Sequence, residues 1–236
     1  MRVGIWALGV GSWEFSYRMI QAIVFDFDGV LADSELLHLR SYQEILAPSG
    51  IDLTKDAYWD RYLGLDDAGV FAQIAAENGL LFGDEEIELL TLEKARHFEA
   101  LISRESVLFP SAPGVVRRLA AAWPIGIASG SLRREIEMML RGAALADAFK
   151  FIVSSEDTEY SKPAPDPYRL AAARHGVAPG ACVAIEDSHQ GLESARTAGL
   201  RTIALAGTYS RDTLAPHADV VVDSLEEITV DLVRRL

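Results

Sequence analysis

The chain has 236 residues, half of them hydrophobic and 24% charged, which suits one large globular domain or a core with a smaller inserted unit and excludes extensive disorder. Against 35 Asp and Glu stand 22 Lys and Arg, a formal net charge of −13 that repels phosphate backbones and anionic lipid, so neither nucleic acid nor a membrane is expected as a partner. Cys182 is the single cysteine, which rules out an intramolecular disulfide and makes a cytoplasmic location the expectation.

In chain order, Met1-Arg2 and the apolar stretch to Val10 imitate a signal peptide. Gly4, Gly9 and Gly11 interrupt it, no small-x-small cleavage site follows, and Glu14 and Arg18 come soon after. Residues 1–18 therefore read as an N-terminal extension without an assigned role, and a second start at Met19 would lead almost directly into a strand. No apolar stretch reaches the roughly 20 residues of a membrane-spanning helix.

Short apolar runs at 22–27, 125–128, 151–153, 182–185, 202–205 and 220–222 predict buried strands. Amphipathic stretches at 115–122, 132–140, 167–175 and 192–198 alternate with them, punctuated by Gly114, Gly142, Gly176 and Gly199. The alternation predicts an α/β fold, a Rossmann-like parallel sheet covered on both faces. Residues 34–106 break the rhythm with helical patterns at 36–46, 68–78 and 85–101 and no convincing strand. They read as an inserted α-helical cap, leaving 19–33 and 107–236 as the core. Ligands of open α/β sheets bind beyond the carboxyl ends of strands, so such a cap would cover the site.

Four motifs, at or near strand ends, carry chemistry. At Val24-Phe-Asp-Phe-Asp-Gly-Val30 an apolar strand ends in Asp26 and Asp28, and Gly29 lets the backbone turn so that both acids face one ligand. Two carboxylates this close repel, and a hard cation such as Mg²⁺ relieves the repulsion. The competing reading is an ordinary polar strand end. At Ile125-Gly-Ile-Ala-Ser-Gly-Ser131, small residues before a helix offer hydroxyls and N–H groups to phosphate; Ser129 is assigned to phosphate with Gly130, whereas Ser131 is assigned to a helix cap ahead of phosphate. At Ser161-Lys-Pro-Ala-Pro-Asp166 two prolines restrict the backbone around Lys162, a fixed cation for a nucleophile and a phosphoryl group rather than a solvated charge. Val183-Ala-Ile-Glu-Asp-Ser188 ends another strand in acids, with Asp187 reaching a metal directly and Glu186 acting through water or from behind it, unless Glu186 serves a helix N-terminus.

These motifs, in this order, resemble the haloacid dehalogenase superfamily in its branch with a helical cap after the first strand, over the chain from about Ile20 onward. The resemblance implies that Asp26 attacks phosphorus, that Asp28 protonates the leaving oxygen and then activates water, and that Ser129 and Lys162 hold the phosphoryl oxygens. It further implies that Asp187 binds Mg²⁺ with Asp26 and the Asp28 carbonyl. Asp28 must then be protonated while Asp26 is ionised, a separation assigned to a shared metal and unequal burial.

Asp26-Phe-Asp-Gly-Val-Leu-Ala-Asp-Ser-Glu-Leu-Leu-His38 is most similar to the β-phosphoglucomutase and phosphoglycolate phosphatase-like group. His38 falls where the sugar phosphomutases carry a hinge histidine. Where they hold a substrate-binding arginine this chain has Asp67, an acid that would repel a second phosphate; Arg61, beyond Gly64, does not take over. Lys94 and Arg96 are expected either to supply cations to the substrate tail or to be solvated helix charges. His97, His175, His189 and His217 show no metal-cage spacing.

The sequence thus predicts a Mg²⁺-dependent phosphatase, monomer or homodimer, for a small phosphorylated metabolite such as a sugar phosphate. A phosphomutase and a non-catalytic binding protein on the same fold are the alternatives.

Overall fold

The computed structural model describes residues 19–63, 65–103 and 107–236, so the expectations for residues 1–18 and for Gly64 lie outside the described residues. The sheet is parallel throughout, in the order β3-β2-β1-β4-β5-β6. Its strands are β1 (Ala22–Phe25), β2 (Ile125–Ala128), β3 (Phe149–Val153), β4 (Cys182–Glu186), β5 (Arg201–Leu205) and β6 (Val220–Val222).

Every residue of β1, β2 and β4 is buried, because these strands are covered on both faces. The two faces differ in side-chain size. On one, Ile23, Phe25, Ile127 and Ile185 pack with Val115, Val116 and Leu119 of α5 (Ala112–Ala120) and with Ile136, Met139 and Leu140 of α6 (Arg133–Gly142). On the other, Ala22, Ala128 and Ala184 admit Tyr168, Ala171 and Ala172 of α7 (Asp166–His175) and Ala195 of α8 (His189–Thr197). After β5 come α9 (Arg211–Leu214), β6 and α10 (Val230–Arg234).

Between β1 and α5 the chain forms helices: α1 (Glu35–Leu46), α2 (Lys55–Arg61), α3 (Asp67–Glu77) and α4 (Asp84–Ile102). Tyr42, Leu46, Tyr58, Val70, Phe71 and Ile74 give this insertion a core of its own, while Leu37, Phe98 and Ile102 join it to the core beneath the sheet. No described helix is long and apolar enough to cross a membrane.

The helix α2 is absent from the sequence reading because seven residues started by a Thr54 cap are too few to show a period. β1 stops at Phe25 instead of Phe27: the Phe27 carbonyl accepts from Leu31 N and Ala32 N at 2.8 and 3.0 Å, so the chain turns directly after the strand. β4 runs one residue further than its apolar run, through Glu186, whose charge is satisfied locally.

Candidate active site

The carboxyl ends of β1, β2 and β4 are adjacent, and their motifs face one cavity between the sheet and the helical insertion. Asp26 follows β1 with its N–H still donating to the Ile185 carbonyl at 2.9 Å, so β4 fixes its backbone. Gly29 then turns the chain at φ +79°. A Cβ there would stand 1.9 Å from Asp187 Oδ2, so glycine is required by both conformation and space. Gly29 thus lies against Asp187 and is not among the residues that line the cavity.

Lys162 follows Ser161 in a turn closed by Ala164 N to the Ser161 carbonyl at 2.9 Å. Its ammonium donates to Asp26 Oδ1 at 2.5 Å and to Glu186 Oε1 at 2.6 Å. Burial opposes its charge, but the two carboxylates raise its pKa above the usual lysine range. Glu186 is the scaffold of this contact. Tyr168 Oη donates to its Oε1 at 3.0 Å, and Asp187 N, Ser188 N and Ser188 Oγ donate to its Oε2 at 3.0, 3.0 and 2.9 Å. A Cβ on Gly191 would stand 1.7 Å from Glu186 Oε1, so the opening turn of α8 closes over this carboxylate only because residue 191 is glycine.

The carboxylates of Asp26, Glu186 and Asp187 bring oxygens within 4.8 Å of one another. Burial pushes the Asp26 carboxyl up to about 8 against the pull of Lys162. Burial and the charges of Glu186 and Asp26 push Asp187 well up too, although Thr208 Oγ1 donates to its Oδ2. Three buried acids served by one ammonium carry surplus negative charge, and all-oxygen donors suit a hard divalent cation, so this cluster can hold a metal.

Asp28 behaves in the opposite sense. Burial disfavours its charge, but the His38 ring and the hydroxyls of Ser131 and Ser34 hold its carboxyl well below the usual carboxylate range. Ser131 Oγ donates to Oδ2 at 2.5 Å, Ser34 Oγ donates to Oδ1, and His38 Nε2 faces Oδ1 at 3.7 Å. The protein's own groups therefore place the two acids in the reverse of the order expected from sequence, because donors converge on Asp28 while Asp26 is more deeply desolvated. A divalent cation beside Asp26 opposes that order.

Around this centre the structure corrects the sequence reading in two places. Ser131 does not cap α6, whose N-cap is Leu132; its hydroxyl is spent on Asp28 and its N–H donates to Ser129 Oγ at 3.0 Å. Ser129 Oγ lies 3.3 Å from Asp28 Oδ2, and Gly130 lines the same cavity. Lys94 is neither solvated nor turned to the cavity. It is completely buried, donating to Asp67 Oδ1 and Oδ2 at 2.8 and 3.0 Å and meeting His38 Nδ1 at 2.7 Å. Arg61 pairs with Glu77 at 2.5 Å away from the cavity, and Arg96 is exposed.

The chain matches the haloacid dehalogenase-like hydrolase family over residues 23–205, the greater part of its length. It belongs to that family. Hexitol phosphatase B of Escherichia coli is 33% identical over 218 residues, covering 90% of this chain and 96% of the relative. The crystal structure of CbbY from Rhodobacter sphaeroides in complex with phosphate superposes with a TM-score of 0.82 at 29% identity, covering 92% of this chain and all of CbbY. A mutant CbbY in complex with xylulose 1,5-bisphosphate gives 0.80 at 29% identity, covering 89% of this chain and 96% of that one.

In this hydrolase, Ser34, Tyr168, Thr208, Ser188 and Gly191 belong to the site although the sequence reading gave none of them a role. Ser34 and Ser188 lay inside the quoted motifs and were legible there as donors next to acids. Tyr168, Thr208 and Gly191 carry no local signal, since their partners are fixed only by how α7, α8 and the segment after β5 pack.

Proposed function

We propose that this hydrolase is a Mg²⁺-dependent phosphatase of a small sugar-like phosphomonoester, with the helical insertion acting as its cap. The observation that carries this reading is the Lys162 ammonium held between Asp26 and Glu186, with Asp187 beside them and Asp28 facing the same cavity. The names of the relatives, a hexitol phosphatase and a protein crystallised with phosphate and with a sugar bisphosphate, support the substrate class.

Asp26 attacks phosphorus, forming an aspartyl-phosphate as the bond to the leaving oxygen breaks. Asp28, ionised in the free site, has its pKa raised by the phosphoryl anion that enters beside it, takes up a proton and delivers it to that oxygen; it then takes a proton from the water that attacks the aspartyl-phosphate and frees Asp26 and phosphate. Lys162 stands beside the nucleophile to stabilise the phosphoryl oxygens, joined by Ser129 and the Gly130 backbone. Asp26, Asp187 and the Asp28 carbonyl would hold Mg²⁺, with Glu186 behind them because protein donors already occupy both its oxygens. The ion would supply charge neutralisation for the carboxylates and the phosphoryl group.

A phosphomutase is the second reading, favoured by His38 standing beside Asp28. Phosphate release from a panel of sugar and polyol phosphates with Mg²⁺, run for wild type and Asp26→Asn, separates the two. Hydrolysis by wild type alone supports the phosphatase, and isomer formation from an aldose 1-phosphate without release supports the mutase.

A further inference from the structure

The wall of the cavity opposite the nucleophile is built by the helical insertion, from Glu35, Tyr42, Tyr58, Asp66 and Asp67. Its protons all point inward to the protein. Tyr42 Oη donates to Asp67 Oδ1 at 2.5 Å, and Tyr58 Oη donates to Glu35 Oε2 at 2.9 Å. Asp66 accepts from Gly69 N at 2.8 Å and from Ser161 Oγ at 2.5 Å. What this wall offers a ligand is therefore the remaining lone pairs of two phenols and three carboxylates.

Its cation is withheld. Lys94, which reaches the same place in the fold, is completely buried with its protons directed at both oxygens of Asp67 and at His38, and it does not line the cavity. Among the described residues that line the cavity, the basic groups are Lys162 and His38. Both stand at the reacting end, beside Asp26 and Asp28.

From this arrangement we propose that the substrate bears a single phosphate on an uncharged, hydroxyl-rich leaving group, and that a second anionic group is selected against. Hydroxyl hydrogens pair with an acceptor-lined wall, whereas a phosphate or carboxylate tail brings charge against Glu35 and Asp66 and finds only further acceptors at Asp67, whose own charge Lys94 neutralises. The inference rests on the phosphatase reading and narrows it. It sets this chain apart from a site that takes a sugar bisphosphate.

The test is kcat/KM for phosphate release, with Mg²⁺, from sorbitol 6-phosphate, fructose 1,6-bisphosphate and 2-phosphoglycolate. The polyol monophosphate is expected to lead both others by at least about 100-fold. In Asp67→Asn, which puts an amide donor on the wall and leaves Lys94 uncompensated, the lead over the bisphosphate is expected to shrink by about 10-fold. The ratio is read within each protein, so partial loss of folded enzyme cancels. Equal efficiency on the bisphosphate or on phosphoglycolate in wild type overturns the inference and leaves the phosphatase reading standing. No release from any of the three, nor from a wider phosphomonoester panel, overturns that reading and the inference with it.

Discussion

Lys162 and Asp26, 136 positions apart, meet at 2.5 Å at the end of the central strand. Removing the ammonium leaves Asp26 and Glu186 buried without their shared cation. Lys162→Met is expected to cost about 3–5 kcal/mol of stability in a denaturant titration and to lower kcat by about 100-fold or more, from loss of charge stabilisation. A variant with wild-type turnover would remove Lys162 from the mechanism.

Glu135 on α6 is buried with neither carboxylate oxygen hydrogen-bonded, and burial pushes its carboxyl up to about 7. An acid raised in the folded state holds a proton that the unfolded chain releases, so its contribution is complete in acid and is lost as pH rises through 7. Glu135→Gln is expected to raise Tm at pH 8, by on the order of 10 °C, and at pH 5 by only a small part of that. A gain at pH 5 as large as at pH 8 would refute the assignment.

Two glycines set how closely the acids gather. In Gly29→Ala the new methyl enters the space of Asp187 at a positive φ, and in Gly191→Ala it enters that of Glu186. Overpacking of this kind costs about 1–3 kcal/mol. Gly29→Ala is further expected to raise the Mg²⁺ concentration for half-maximal activity by about 10-fold, because it displaces a proposed ligand. Activation curves for Mg²⁺ in the two variants and wild type check this.

Chelation tests the metal independently. EDTA is expected to stop turnover and Mg²⁺ to restore it, and Mg²⁺ should raise the Tm of wild type but not of Asp187→Ala. Equal thermal shifts in both proteins would place the ion elsewhere.

The parts of this site that the sequence reveals are those whose signal is local. A strand covered on both faces is apolar over nearly its whole length, so acids at positions 26, 28, 186 and 187 stand out against Ala22–Phe25 and Cys182–Ile185, and two prolines mark Lys162. Lys94 shows what is hidden. On a helix pattern it looks like any solvated lysine, and its burial follows from Asp67 and His38 arriving from α3 and α1, contacts of 27 and 56 positions in sequence separation. The same limit applies to the order of the acids. Burial of Asp26 and the convergence of Ser34, Ser131 and His38 on Asp28 are properties of packing, and no spacing in the chain encodes them.

If Asp26 carries the phosphoryl group, acid quench during turnover of a polyol phosphate with Mg²⁺ traps it, and mass spectrometry of the peptides locates it. One added phosphoryl group is expected on the peptide containing Asp26, located at that residue, with no adduct and no turnover in Asp26→Asn. Turnover by Asp26→Asn at a rate near wild type, or a phosphoryl group found on another residue, would contradict it.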